Sequence, residues 1–102
     1  MSMDRIKQYS LNDMAAIIHP IAQVYKVTGV SLFGSRVRGD FSDKSDYDLL
    51  IDVEDDFSYG DYGAFIDDLS QALGSPVDVV TRRSLTNCDY DRTILDEEIR
   101  IF

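Results

Sequence analysis

Two short stretches decide the fold of this chain: Leu-Phe-Gly-Ser-Arg-Val-Arg-Gly at residues 32–39 and Ser-Asp-Tyr-Asp-Leu-Leu-Ile at residues 45–51. The first passes from an apolar run into a turn at Gly34, where the absence of a side chain lets a ligand approach the backbone. The second is an apolar strand preceded and interrupted by Asp46 and Asp48. Because residues i and i+2 of a strand point to the same face, both carboxylates are expected to project together. Adjacent carboxylates repel each other unless a cation lies between them, so the pattern favours a Mg²⁺ site.

The Gly34-Ser35 turn is suited to an anion. It follows a buried strand, where backbone N–H groups and a hydroxyl become available to a phosphate. Arg36 supplies a planar cation that matches phosphate geometry, whereas Arg38 is expected to be surface charge. Taken alone, a Gly-Ser pair is typical of an ordinary strand end, and the GxxxxGK of a P-loop is absent. Only the combination with the two aspartates predicts a nucleotide site.

A third acid, Asp78, lies inside the apolar run Pro-Val-Asp-Val-Val at residues 76–80. A carboxylate in such a strand is costly if it has no partner. It either pairs with a basic residue such as Arg82 or lines a cleft. If its strand neighbours the one carrying Asp46 and Asp48, three acids converge where metal ions could promote displacement at phosphorus.

The surrounding sequence predicts an α/β arrangement with helices flanking a small sheet. Ser10 is expected to cap a first helix, which Pro20 should kink or split in two. The further elements predicted from periodicity and stop signals are strands at residues 30–33, 47–53, 77–81 and 100–102 and helices at residues 58–73 and 89–98.

Length and charge limit the classes of function. The 102 residues are expected to form one domain over residues 1–102. The net charge of −9 is segregated, because residues 40–102 carry seventeen acids and five bases. Such a chain should not bind nucleic acid non-specifically or an anionic membrane; a basic protein, a cation or a metal-neutralised anion is a better partner. With no long apolar run and no signal-peptide pattern, we expect a soluble cytoplasmic protein.

The spacing of the two motifs resembles that of a known family. Gly34-Ser35, ten intervening residues and Asp46-Tyr47-Asp48 are similar to the GS-x10-DxD signature of the minimal nucleotidyltransferases, relatives of DNA polymerase beta. Residues 34–39, GSRVRG, resemble that family's GSRARG segment, and SDYDL resembles its SDIDL segment. Tyr47 replaces the commoner Ile on the core face and leaves the two acids in place.

This resemblance implies a polymerase beta-like nucleotidyltransferase fold, with a small mixed β-sheet flanked by helices. It also implies the substrate ATP and the cofactor Mg²⁺. The phosphates would be held by Gly34, Ser35 and Arg36, and Mg²⁺ by Asp46 and Asp48. Asp78 would complete the metal site or act as the base that activates the acceptor hydroxyl.

A stand-alone member of this size resembles the antitoxin partner of a helical HEPN ribonuclease toxin. The resemblance then implies transfer of AMP from ATP to a tyrosine of the toxin within a hetero-oligomer. Two alternatives stay open. The chain could be a non-catalytic module that binds nucleotide or toxin and neutralises its partner by binding alone, using its acidic second half. It could also be one subunit of an enzyme that nucleotidylates a small molecule such as an antibiotic.

Overall fold

A computed structural model describes residues 9–39 and 46–102. Ser45, the first residue of the SDYDLLI stretch, lies outside the described residues, as do residues 1–8. The elements, in chain order, are α1 (Leu11–Val24), β1 (Val27–Phe33), α2 (Ser35–Arg38), β2 (Tyr47–Val53), α3 (Tyr59–Leu73), β3 (Val77–Thr81), a 3₁₀ turn (Arg82–Ser84), α4 (Asp89–Glu97) and β4 (Ile99–Arg100).

The four strands form one mixed sheet in the order β3-β2-β1-β4. β1 runs antiparallel to both β2 and β4, whereas β2 and β3 are parallel. The predicted small mixed sheet is therefore confirmed. The carboxyl end of β1 consequently lies at the same edge of the sheet as the first residues of β2 and β3, and this edge carries the predicted site.

Helices cover both faces of the sheet. On one face, α1 and α3 pack against alternate residues of β2, namely Tyr47, Leu49 and Ile51, all of which are buried. On the other face, Ile94 of α4 packs with Phe33 of β1 and Leu50 of β2. The alternation of β2 thus places Asp48 on the α4 face together with Leu50.

Both long helices begin at a capping serine, and the cap predicted at Ser10 is confirmed. The Ser10 hydroxyl accepts a hydrogen bond from the Asp13 N–H at 3.0 Å, and the Asp13 carboxylate accepts from the Ser10 N–H at 3.4 Å. Ser58 and Asp61 form the same reciprocal pair at the start of α3. Each pair satisfies two backbone N–H groups that have no partner within the helix. α3 ends at Gly74, whose φ of 69° places it in the left-handed region that glycine favours.

Pro20 does not split the first helix. α1 runs from Leu11 to Val24 as one element with Pro20 inside it, so that part of the prediction is wrong. Proline removes one intrahelical hydrogen bond, which would have reached the carbonyl of Ala16. Both Pro20 and Ala16 are exposed, so water can satisfy that carbonyl at little cost.

The ends of the sheet also differ from the predicted limits. β1 begins at Val27, three residues earlier than predicted, and β4 covers Ile99–Arg100. The chain end still continues beside β1, because the Ile101 N–H donates to the Val30 carbonyl at 2.8 Å. Within the described part of the chain, no helix combines the length and the apolar character needed to cross a bilayer.

Candidate active site

The predicted acids meet where β1 ends and β2 and β3 begin. Phe33, the last residue of β1, is opposite Asp48 in the β1–β2 register. Asp48 is in turn opposite Asp78 in the parallel β2–β3 register. Asp46 immediately precedes β2 and is exposed. The structure therefore brings Asp46, Asp48 and Asp78 to one edge of the sheet, directly beside the Gly34-Ser35 turn.

Gly34 lies within contact distance of Asp48. Its φ of 80° and ψ of −154° are accessible to glycine and strained for other residues. A Cβ atom built at this position would collide with the Asp48 carboxylate. Glycine is thus required here twice: by the backbone conformation and by the close approach of Asp48.

The electrostatics of Asp48 reflect the acids around it. Burial raises the pKa of this carboxyl, and the neighbouring charges of Asp78 and Asp46 raise it further. The guanidinium of Arg38 opposes that shift, whereas Glu97 adds to it. The negative charge at this edge therefore exceeds what the nearby cation neutralises, which favours binding of an additional cation.

The donor chemistry of the site fits Mg²⁺. Within residues 9–39 and 46–102, no three carboxylate, imidazole or thiol side chains are grouped closely enough to hold a metal ion on their own. Mg²⁺, however, is usually bound through one or two carboxylates, with substrate phosphates and water completing its octahedron. Asp46 and Asp48 supply such a pair of carboxylates, since they lie two residues apart at the start of β2.

Arg36, predicted as a phosphate ligand, stacks on an aromatic ring. Its guanidinium carbon is 3.7 Å from the centre of the Tyr47 ring. Tyr47 belongs to the α1 and α3 face of the sheet, opposite the face of Asp48. The structure thus brings Gly34 and Ser35 to the acids and stacks Arg36 on an aromatic ring; its role toward phosphate stays a prediction.

Arg38, expected to be surface charge, is exposed and also interacts with the site. Its Nη1 atom lies 3.3 Å from both carboxylate oxygens of Glu97, at the end of α4. The same carboxylate accepts a hydrogen bond from the Gly34 N–H at 2.8 Å. Sequence reasoning missed Glu97, since one acid in the run Asp96-Glu97-Glu98 carries no distinguishing local signal.

The alternative partner considered for Asp78 is engaged by other acids. Arg82 donates to Asp52 through Nε at 2.7 Å and to both oxygens of Glu98 at 2.7 and 2.9 Å. Asp78 is exposed instead and faces an open groove. This placement favours the prediction that Asp78 lines a cleft over the alternative that it forms a structural ion pair with Arg82.

The groove beside Asp78 has a volume of about 980 Å³. Its walls include Phe57, Tyr59 and Tyr62 from the start of α3 and the segment before it. The Tyr62 hydroxyl donates to the Val79 carbonyl at 2.7 Å, which fixes that wall to β3. Tyr59 is 96% exposed. An aromatic, solvent-open groove thus adjoins Asp78.

Comparison with known proteins assigns this arrangement to a family. The model of the nucleotidyltransferase domain matches residues 17–101. A proposed protein adenylyltransferase of Methanocaldococcus jannaschii is 32% identical over 92 residues, which are 90% of this chain and 98% of that protein. A second from the same organism is 32% identical over 77 residues, or 74% of this chain and 76% of the relative.

Solved structures agree with that assignment. The structure of a proposed minimal nucleotidyltransferase gives a TM-score of 0.72 at 27% identity and covers 91% of this chain and 97% of its own. A chain of the complex between the tri-AMPylated HEPN toxin of Shewanella oneidensis and its MNT antitoxin shares the fold, with a TM-score of 0.63 at 20% identity and coverages of 90% and 68%. With its Gly-Ser turn against paired strand acids, this chain belongs to the nucleotidyltransferase domain family.

Proposed function

We propose that this chain transfers AMP from ATP to a tyrosine hydroxyl of a helical HEPN-type toxin, and that this modification neutralises the toxin. The curated relatives are proposed protein adenylyltransferases. Among the structural neighbours are toxin–antitoxin complexes, one with AMP-PNP and one with an AMPylated HEPN toxin. The observation that carries the proposal is the packing of Gly34 against Asp48, in register with Asp78, because it places a phosphate-type turn beside converging acids.

In the proposed reaction, the acceptor oxygen attacks the α-phosphorus of ATP, the bond from that phosphorus to the bridging oxygen of the β-phosphate breaks, and pyrophosphate leaves. The hydroxyl proton passes to a carboxylate, for which we propose Asp78, since it is exposed to the groove. Gly34 and Ser35 orient the phosphates in this scheme. Mg²⁺ held by Asp46 and Asp48 would neutralise phosphate charge in the transition state.

The groove beside Asp78 suits the acceptor side chain. A tyrosine is aromatic, and Phe57, Tyr59 and Tyr62 provide an aromatic and apolar wall for it. Arg83 also lines the groove, and its Nη2 atom donates to the Phe57 carbonyl at 3.0 Å. We therefore place the modified segment of the toxin along this groove, with its hydroxyl directed toward Asp78.

A separate partner is expected to supply that segment. Aromatic side chains are enriched at interface cores, and Tyr59 is almost fully exposed. The seventeen acids and five bases of residues 40–102 would speed encounter with a basic protein. Association should therefore weaken as salt is raised. Size-exclusion chromatography with light scattering, at low and high ionic strength, measures this directly.

The decisive experiment is co-expression with the product of the adjacent gene, followed by mass spectrometry of that product. We expect one or more AMP units on a tyrosine, and none when Asp46→Asn and Asp48→Asn are combined. Asp67→Asn, at an exposed site on α3, is the matched control and should leave the modification intact. An inhibited but unmodified partner would establish a binding-only neutraliser instead, and AMP found only on a small molecule would establish the antibiotic-type activity.

A further inference from the structure

Glu97 links the end of α4 to the nucleotide-binding turn. Its Oε1 atom accepts the Gly34 N–H at 2.8 Å, and both of its oxygens lie 3.3 Å from Nη1 of Arg38. These two donors begin and end the segment that contains Ser35. The Glu97 carboxylate, which is 19% exposed, therefore forms hydrogen bonds with both ends of the Gly34–Arg38 segment.

The position of Glu97 is itself fixed from both sides. One helical turn earlier, Ile94 is buried against Phe33 and Leu50, which seats α4 on the sheet. Two residues after Glu97, β4 begins and pairs with β1 through Ile99 opposite Leu32. Because the chain is held in place on both sides of Glu97, the Glu97 side chain loses little conformational entropy when it accepts these hydrogen bonds.

Gly34 is consequently held between two carboxylates. Asp48 lies against its Cα on the β2 side, and Glu97 accepts its N–H. The hydrogen bond fixes the orientation of the Phe33–Gly34 peptide plane, and with it the path of the chain into the turn at Gly34 and Ser35. Loss of that bond would let the turn move although Asp48 and Ser35 remained unchanged.

We propose that Glu97 is a positioning residue for nucleotide transfer, which acts by holding the Gly34-Ser35 turn in register with Asp48. This inference deepens the proposed function and rests on it for the identity of the nucleotide. A misplacement of about 1 Å between reacting groups can cost roughly 10²-fold in rate, so a bond that fixes this turn has catalytic consequences.

Glu97→Ala, Glu97→Gln and the matched control Asp96→Ala test the inference. Asp96 precedes Glu97 on α4 and is exposed. Gln retains an oxygen that can accept the Gly34 N–H, whereas Ala does not. Titration calorimetry with ATP and Mg²⁺ should give a Kd about tenfold higher for Glu97→Ala, a change within about threefold for Glu97→Gln, and none for Asp96→Ala.

Amide hydrogen exchange measured by NMR gives a readout that needs no nucleotide. The Gly34 N–H should exchange at least about tenfold faster in Glu97→Ala than in the wild type, and at nearly the wild-type rate in Glu97→Gln. Thermal melting confirms that each variant is folded. If Glu97→Ala does not fold, Glu97→Asp replaces it: this change withdraws the carboxylate by one methylene, and we expect weaker ATP binding although the charge is kept.

Three results would overturn the inference. Wild-type ATP affinity in Glu97→Ala would mean that the contact is structural only. Tighter ATP binding would mean that the carboxylate competes with phosphate. Unchanged exchange at Gly34 would mean that the hydrogen bond does not hold the turn. Failure of the wild-type chain to bind ATP at all would refute the proposed function instead, and the exchange measurement would still decide the role of Glu97.

Discussion

Replacing Asp48 by Asn should stabilise the folded protein at neutral pH while abolishing its nucleotide chemistry. Asp48 faces Asp78 on the adjacent parallel strand, and neighbouring strands are about 4.8 Å apart. Two carboxylates about 5 Å apart in water-like surroundings repel by roughly 0.8 kcal/mol. Partial burial of Asp48 adds to this cost. We therefore expect a gain of about 1 kcal/mol, which corresponds to a Tm increase of roughly 4–8 °C for a domain of this size.

The gain should depend on pH in a defined direction. Burial and the charges of Asp78 and Asp46 raise the pKa of Asp48 in the folded state. A carboxyl with a raised folded pKa destabilises the protein fully above that pKa, and the penalty disappears below the unfolded value near 3.9. The advantage of Asn over Asp should therefore be largest at pH 7 and vanish by about pH 3.

Thermal and urea unfolding at pH 7, 5 and 3 measures the difference in stability between Asp48→Asn and the wild type, with Asp67→Asn as the control for loss of one exposed negative charge. Calorimetry with ATP and Mg²⁺ checks in parallel that Asp48→Asn no longer binds the nucleotide. A lower Tm at pH 7, or equal stabilisation at pH 7 and pH 3, would refute the view that Asp48 is held in a repulsive acid cluster.

Three further outcomes follow from other contacts. Gly34→Ala should lower the free energy of unfolding by about 2–3 kcal/mol, and the control Gly74→Ala by about 1 kcal/mol, because Gly74 also has a positive φ but no described atom within 4 Å. Equal losses for the two variants in urea unfolding would contradict the close approach of Asp48 to Gly34. Arg82→Ala should lower the free energy of unfolding by about 1–3 kcal/mol, because Arg82 has two carboxylate partners, and Arg92→Ala, at an exposed ion pair, by no more than about 0.5 kcal/mol. Similar losses for both variants in urea unfolding would argue against a stabilising role of the Arg82 ion pairs. Tyr59→Ala should weaken association with the partner about tenfold in light-scattering or calorimetric titrations, and an unchanged affinity would remove the groove from the interface.

The strand that carries the acids could be predicted in detail from the sequence. In β2, apolar residues at alternate positions must face the core, which leaves Asp48 on the other face by geometry alone. The two helix caps, Ser10 with Asp13 and Ser58 with Asp61, are equally local signals. These features depend on residues within four positions of each other, so one sequence contains the information needed to place them.

The roles of the basic residues could not be predicted in the same way. Arg36 and Arg38 are two positions apart in a four-residue helix, and their sequence gives no reason to assign one to Tyr47 and the other to Glu97. That choice depends on α4, which lies about sixty residues later in the chain and is seated by the contacts of Ile94. Long-range packing of this kind decides which cation reaches the site.

The same face of β2 carries two acids whose surroundings differ, and the difference indicates where an external cation is needed. Asp52 accepts from Nε of Arg82 at 2.7 Å and lies 3.3 Å from Nη1 of Arg100, so the chain supplies positive charge on both of its oxygens. Four residues earlier, Asp48 has Asp78 in register beside it, and burial together with the charges of Asp78 and Asp46 raises its pKa against the opposing charge of Arg38. Residues i and i+4 of one strand share a face and a local backbone, so neither strand geometry nor residue type distinguishes them. Because an acid cluster that Arg38 only partly neutralises costs stability, we expect a metal ion bound at this edge, beside the Gly-Ser turn, to relieve that cost, as the proposed function requires.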